Sequence, residues 1–362
     1  MRLRSSVGAL LPFAAMIALE CLDVGMTTLS KAALSKGMSH FVFVVYSNAL
    51  ATLILLSSYI FLRKKRLPLT LPLLCKFFLL ALVGITVMQS CVYTGISYSS
   101  PTLGSAIGNL VPACTFILAV IFRMEKLDLR SWSSQVKIMG TLVSISGALV
   151  VTLYKGPSIG TTLSSSQLPD KRFSSSPSNS LTGNNWILGG VFFAVASLSL
   201  SIWNTLQAAI VRGYPDETTI VSFYCLFGTI QTAVISLIAE RDPNGWSLEL
   251  DVKLISVVYS AVFGSVITPW VSTWCIEKKG PVFVAMFRPL GIAIAALMGV
   301  IFLGDTLHLG SVVGAIIIAA GFYGVIWGQS KEEKNREDDK VDGFGASVDK
   351  IPFLSSQGEV VV

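Results

Sequence analysis

Charge is what this sequence has least of. Only 13% of its 362 residues are Asp, Glu, Lys or Arg, against roughly a quarter in soluble domains, while 52% are hydrophobic. That balance argues against a soluble globular domain. Histidine is nearly absent: His40 and His308 both stand near expected helix ends, which leaves no histidine metal site, proton relay or Ser-His-Asp constellation. No GxxxxGK[ST] loop occurs to cradle the phosphates of ATP. The six cysteines (Cys21, Cys75, Cys91, Cys114, Cys225 and Cys275) fall inside apolar stretches without metal-ligand spacing, and read as small packing residues rather than disulfide or zinc partners. Basic residues are dispersed over loops with no aromatic interleaving, so nucleic acid is not an expected partner. These absences argue against an enzyme, and no cofactor or metal is expected.

Long apolar runs fill the space that charge leaves. They cover about 8–29, 40–62, 73–97, 102–122, 132–154, 186–210, 219–239, 252–276, 282–303 and 309–328. Each is near the roughly 20 residues that a helix needs to cross the hydrocarbon core, which predicts an all-α integral membrane protein of ten spans. The first run is too long and too acidic for a cleavable signal peptide, so it is expected to be retained. With the N-terminus inside, the N-terminal segment and the cytosolic loops together hold twelve Lys and Arg and the opposite loops six, which favours both termini in the cytosol.

The chain also repeats. A Ser-rich stretch without hydrophobic periodicity, 155–185, reads as a non-cytoplasmic linker between five spans (1–154) and five more (186–328); residues 329–362 are charged and read as a disordered cytosolic tail. Shifting by 180 residues puts Pro101 on Pro281, Glu125 on Asp305 and Ser131 on Ser311. A shift of 174 brings Gly140 and Gly147 onto Gly314 and Gly321, and one near 176 lays "KAALSKG" (31–37) over "QAAIVRG" (207–213). Five spans per unit is odd, so equivalent points face opposite sides of the membrane. This predicts an inverted repeat, and with it alternating-access transport of a small molecule across the lipid bilayer.

At "LPFAAMIALECLDVGMTTLSKAALSKGMSHFVFVVYSN", "GTLVSISGALVVTLYKGP" and "GVIFLGDTLHLGSVVGAIIIAAGFYGVIWG", the sequence resembles the plant UMAMIT family. These are relatives of the Walls Are Thin vacuolar auxin transporter, built of two EamA repeats in the drug/metabolite transporter superfamily. The resemblance covers roughly residues 8–330 and implies ten helices, cytosolic termini and transport of amino acids or related metabolites, as export or bidirectional facilitation. It favours the plasma membrane over vacuolar or other endomembranes, and leaves a homodimer open.

Charges inside the bilayer cost about 2.5–3.5 kcal/mol each on insertion scales, so they mark candidate sites. Glu20 and Asp23 lie three apart in the first span, hence on one helix face that must point into the bundle. Glu20 is suited to bind a substrate ammonium group or exchange a proton, unless both carboxylates only hold the bundle together. Arg288 either snorkels to the surface or balances Glu20 and receives a substrate carboxylate. Neutral candidates at similar depth are Gln89 and Tyr93, Asn109, Asn204 and Gln207, and Thr268 with Trp270; Pro112 and Pro269 are expected to break their helices. Trp274 is the more natural interfacial anchor of the two tryptophans, and Asn48, Tyr46 and Tyr224 read as packing. The central cavity is expected to hold Glu20, Gln89, Asn109, Trp270 and Arg288, serving an amino acid. The alternatives are auxin or another organic acid, or a membrane scaffold that has lost transport.

Overall fold

The computed structural model describes residues 2–61, 69–99, 101–124, 131–154, 157–159, 185–240, 246, 248, 251–298, 301 and 307–348. Among the described residues, ten helices are long and apolar enough to span a membrane: Leu10–Leu34, His40–Ser58, Leu71–Ile96, Leu103–Ile121, Trp132–Leu153, Ile187–Gly213, Glu217–Ala239, Val252–Lys279, Pro281–Met298 and Leu309–Lys331, numbered as spans 1 to 10 below. Helices are the natural answer to these sequences, because in lipid every backbone N–H and C=O must be satisfied within its own segment. The expected linker lies outside the described residues except for 157–159 and Asn185. Two residues at its start, Ser158–Ile159, pair antiparallel with Leu307–His308 ahead of span 10. The last helix runs Leu309–Val348, past the expected boundary at 328 and into the stretch expected to be disordered. That stretch is rich in the helix formers Lys, Glu and Arg and has no proline before Pro352, so local propensity carries the helix onward. The remainder of the expected tail, 349–362, is outside the described residues.

Spans 5 and 10 form the closest helix pair. A Cβ on Gly140 would stand 2.7 Å from the Gly321 carbonyl oxygen, and one on Gly321 would stand 2.6 Å from that of Gly140. Gly147 and Gly314 meet in the same way, at 2.9 and 2.7 Å. Exchanging each glycine for its repeat equivalent turns the first contact into the second, so a pseudo-twofold axis passes between the two helices. Spans 2 and 7 pack together on the other flank, joined by the Thr52 and Thr229 hydroxyls 3.0 Å apart.

Spans 3 and 8 each widen into a π-helical segment, Leu82–Val87 and Ser260–Ile267. The shift of 180 residues takes 82–87 onto 262–267, so the widening belongs to the repeat. In span 8, Pro269 has no N–H to offer the Ser265 carbonyl four residues earlier, and Cys225 Sγ donates to that oxygen at 3.2 Å instead. Spans 4 and 9 are broken outright. Span 4 consists of helices Pro101–Gly108 and Val111–Ile121, interrupted at Asn109 and Leu110; span 9 consists of Pro281–Ala285 and Phe287–Met298, interrupted at Met286. Pro112 and Pro289 explain both positions, since each deprives the carbonyl four residues back, that of Gly108 or Ala285, of its donor.

Candidate functional site

The break in span 4 borders a large cavity of about 780 Å³, and the other irregular segments lie on helices that wall it. Its walls come from spans 1, 3, 4, 6, 8 and 9, which are the first, third and fourth members of each repeat. The lining runs from the middle of these spans to their ends on the linker side. Thr27, Thr28, Ser105 and Ala295 are exposed along it, whereas Glu20, at mid-span, is only 8% exposed. The cavity is therefore open toward the linker side and floored near the bilayer centre.

Below the floor, the side bearing the chain termini is sealed. Met16, Leu19, Phe283 and Phe287 are buried together, and the rings run Phe13 to Phe283 (4.9 Å), Phe283 to Phe287 (5.1 Å) and Phe287 to Phe322 (4.8 Å). At the outer rim of this seal, Arg212 donates to the Met124 carbonyl at 3.1 Å and Gln329 to that of Lys279 at 3.1 Å.

Charge in the cavity is arranged on two helices. Span 1 turns Glu20 and Asp23 to the same wall, and span 9 supplies Arg288, whose guanidinium lies 3.9 Å from Asp23. Both members of this loose pair are part-exposed, so each is available to a ligand, and the pair itself adds little stability. Arg288 thus points into the cavity and does not snorkel to the terminal surface. Gly291, one turn beyond it, is where Glu20 fits: any Cβ there would collide with Glu20 Oε2. With two carboxylates against one guanidinium, the polar wall carries a net negative charge when all three are ionised. Asn109 sits at the break in span 4, 1% exposed, and its Nδ2 has no hydrogen-bond partner among the described residues. The carbonyls beside that break are held by span 6, through Ser197 Oγ to Ile107 (3.4 Å) and Ser201 Oγ to Val111 (3.2 Å). Tyr259 closes the wall between spans 8 and 1 by donating to the Leu22 carbonyl at 3.3 Å.

Several residues singled out in the sequence lie elsewhere. Gln89 and Tyr93 line a separate space of about 20 Å³ with Thr86 and Ser236, enough for one water molecule between spans 2, 3 and 7. Trp270 is 41% exposed on the outer surface, while Trp274 packs into the seal, which reverses the expected roles of the two tryptophans. Thr268 Oγ1 is spent on the Phe263 carbonyl at 2.8 Å. Asn204 and Gln207 are buried below the floor, where Gln207 Nε2 donates to Thr273 Oγ1 and that hydroxyl donates to the Pro269 carbonyl at 2.6 Å. Pro112 stands at the span 4 break and Pro269 just after the π segment of span 8. Gly291, Tyr259, Ser105 and Ser197 left little sign in the sequence, because glycine, serine and tyrosine are common in apolar spans for packing reasons alone.

Comparison with known proteins agrees with this architecture. The model of the EamA-like transporter family matches residues 10–153 and 187–327, one match per repeat. Three WAT1-related proteins of Arabidopsis thaliana are similar along most of the chain. One is 49% identical (89% of this chain, 88% of its own length), a second 48% (90% and 90%) and a third 46% (91% and 88%). A solved crystal structure at 11% identity superposes with a TM-score of 0.68 over 91% of this chain and 99% of its own, a likeness of fold alone. Two matched repeats and relatives of nearly full length lead to one conclusion: the chain belongs to the EamA-like transporter family.

Proposed function

We propose that the protein is a secondary transporter or facilitator of amino acids, working by alternating access in export or in both directions. One observation carries the reading: Glu20, Asp23, Arg288 and the amide of Asn109 share one cavity. A free amino acid carries an ammonium and a carboxylate on one carbon. Glu20 suits the ammonium, while Arg288 and the N-terminal end of the helix that starts at Val111 suit the carboxylate. The volume falls within the roughly 300–1,000 Å³ of small-molecule sites, and apolar walls such as Met88, Val92 and Phe193 leave room for varied side chains. With all three groups ionised, the wall disfavours a simple organic anion such as auxin, which has no ammonium to offer Glu20. Twelve basic residues against six support termini in the cytosol, and the plasma membrane is the proposed location.

The test is efflux of a preloaded, labelled amino-acid mixture from cells expressing the wild type, Glu20→Gln or Arg288→Gln at matched surface levels. The wild type exports a subset, and both variants lose most of that export. If the wild type moves organic acids and no amino acid, the substrate reading is wrong.

A further inference from the structure

The open cavity occupies one half of the bundle, and the repeat relates its walls to residues in the closed half. A shift of 176 takes Thr28 to Asn204, and a shift of 180 takes Thr115 to Ala295. In both pairs the member on the linker side is exposed on the cavity wall, as Thr28 and Ala295 are, while its mate is buried. Asn204 is 3% exposed and Thr115 0%. Inverted repeats that differ in this way are two conformations of one unit held in the same molecule.

Chemistry at the buried mates supports this independently of the symmetry. Asn204 Oδ1 and Thr115 Oγ1 have no hydrogen-bond partner among the described residues, and neither has Gln207 Oε1, one turn beyond Asn204. Leaving such a group buried and unpaired is costly to the folded state. Three of them stand on two adjoining helices, spans 4 and 6, and span 6 also joins the buried cluster of Ala208, Phe283 and Phe287. A permanent packing interface gains nothing from that cost. A surface that is wet for part of a cycle needs those polar groups.

We infer that Thr115, Asn204 and Gln207 form the polar wall of a second vestibule, open toward the chain termini when the linker-side cavity is closed. The substrate would pass from the floor at Glu20 and Asn109 onto this wall, and the aromatic seal around Phe283 and Phe287 would part to expose it. The inference rests on the transport reading for its two alternating states and is independent of which substrate moves.

The experiment reads accessibility and needs no substrate. In a full-length chain with its six native cysteines replaced, Thr28→Cys, Thr115→Cys and Asn204→Cys are introduced singly, and the latter two also in pairs with Thr28→Cys. Sealed vesicles of known orientation are treated from either side with a membrane-impermeant thiol reagent. Thr28→Cys is expected to label from the linker side, and Thr115→Cys and Asn204→Cys at least tenfold faster from the terminal side. In the paired variants, linker-side labelling at position 28 certifies the fold. Silence at both 115 and 204 from the terminal side, or labelling of either from the linker side, would overturn the inference. Terminal-side labelling in a protein that moves no amino acid would keep this inference and remove only the substrate.

Discussion

Glu20 depends on a glycine on the neighbouring helix. Because a Cβ at Gly291 would occupy the place of Glu20 Oε2, Gly291→Ala should push the carboxylate out of position without adding charge or much volume. Transport is expected to fall at least tenfold at unchanged surface expression. Gly190→Ala, whose new Cβ would meet only ordinary contacts at 3.8 Å or more, should leave transport intact. Equal activity in both variants would mean that the exact seat of Glu20 is unimportant. The two tryptophans give a second contrast: Trp270→Ala removes an outward-facing ring and should spare folding and transport, whereas Trp274→Ala opens the terminal-side seal and should lower thermal stability. A third concerns the rim. Lys36 and Asp251 pair at 2.6 Å across spans 1 and 8, and the hydrogen bond from Lys36 holds the Asp251 carboxyl below the usual carboxylate range. A depressed pKa contributes stability above the unfolded value, and that contribution is lost as pH falls through the folded one. In acid scans of thermal unfolding the wild type should therefore lose slightly more stability than Asp251→Asn; equal slopes would assign the pair no stabilising role.

Among the helices, spans 5 and 10 frame one flank of the bundle and the spans around the cavity differ from them in regularity. Spans 5 and 10 meet backbone to backbone at Gly140, Gly147, Gly314 and Gly321, so a side chain there has nowhere to go. Gly140→Val is expected to cost about 1–3 kcal/mol as overpacking, seen as a lower unfolding temperature in detergent. Gly324→Ala on the same helix, with its nearest neighbour at 3.7 Å, should be silent. If Gly140→Val is equally silent, the close crossing does not hold the frame. Four of the six cavity spans are irregular instead: spans 3 and 8 carry π segments and spans 4 and 9 are broken. Such irregular backbone is tolerated at membrane depth where it is covered by protein or borders a cavity.

For the whole molecule, lipid made the architecture legible. A helix must be about 20 residues long and apolar to cross, so ten spans, their pairing into repeats and the inversion could be read from runs and shifts alone. Charges were legible for the same reason, and Glu20, Asp23 and Arg288 do line one cavity. Neutral residues were less so, although Asn109 does line the cavity. Gln89, Thr268 and Trp270 cost little on any face of a helix, so their depth said nothing about their direction, and each faces away from the cavity. The π segments were hidden too, since one additional residue per turn rotates everything beyond it without leaving a compositional mark. Gly291 was silent because its importance belongs to Glu20.

The most direct test of the whole account is counterflow in proteoliposomes containing the purified protein. Vesicles loaded with an unlabelled amino acid should transiently accumulate the labelled form from outside, well above vesicles loaded with buffer, and Glu20→Gln should abolish the difference. That result requires one site exposed alternately to two sides. Uptake that is the same with and without internal substrate, and unchanged by Glu20→Gln, would contradict alternating access at this cavity.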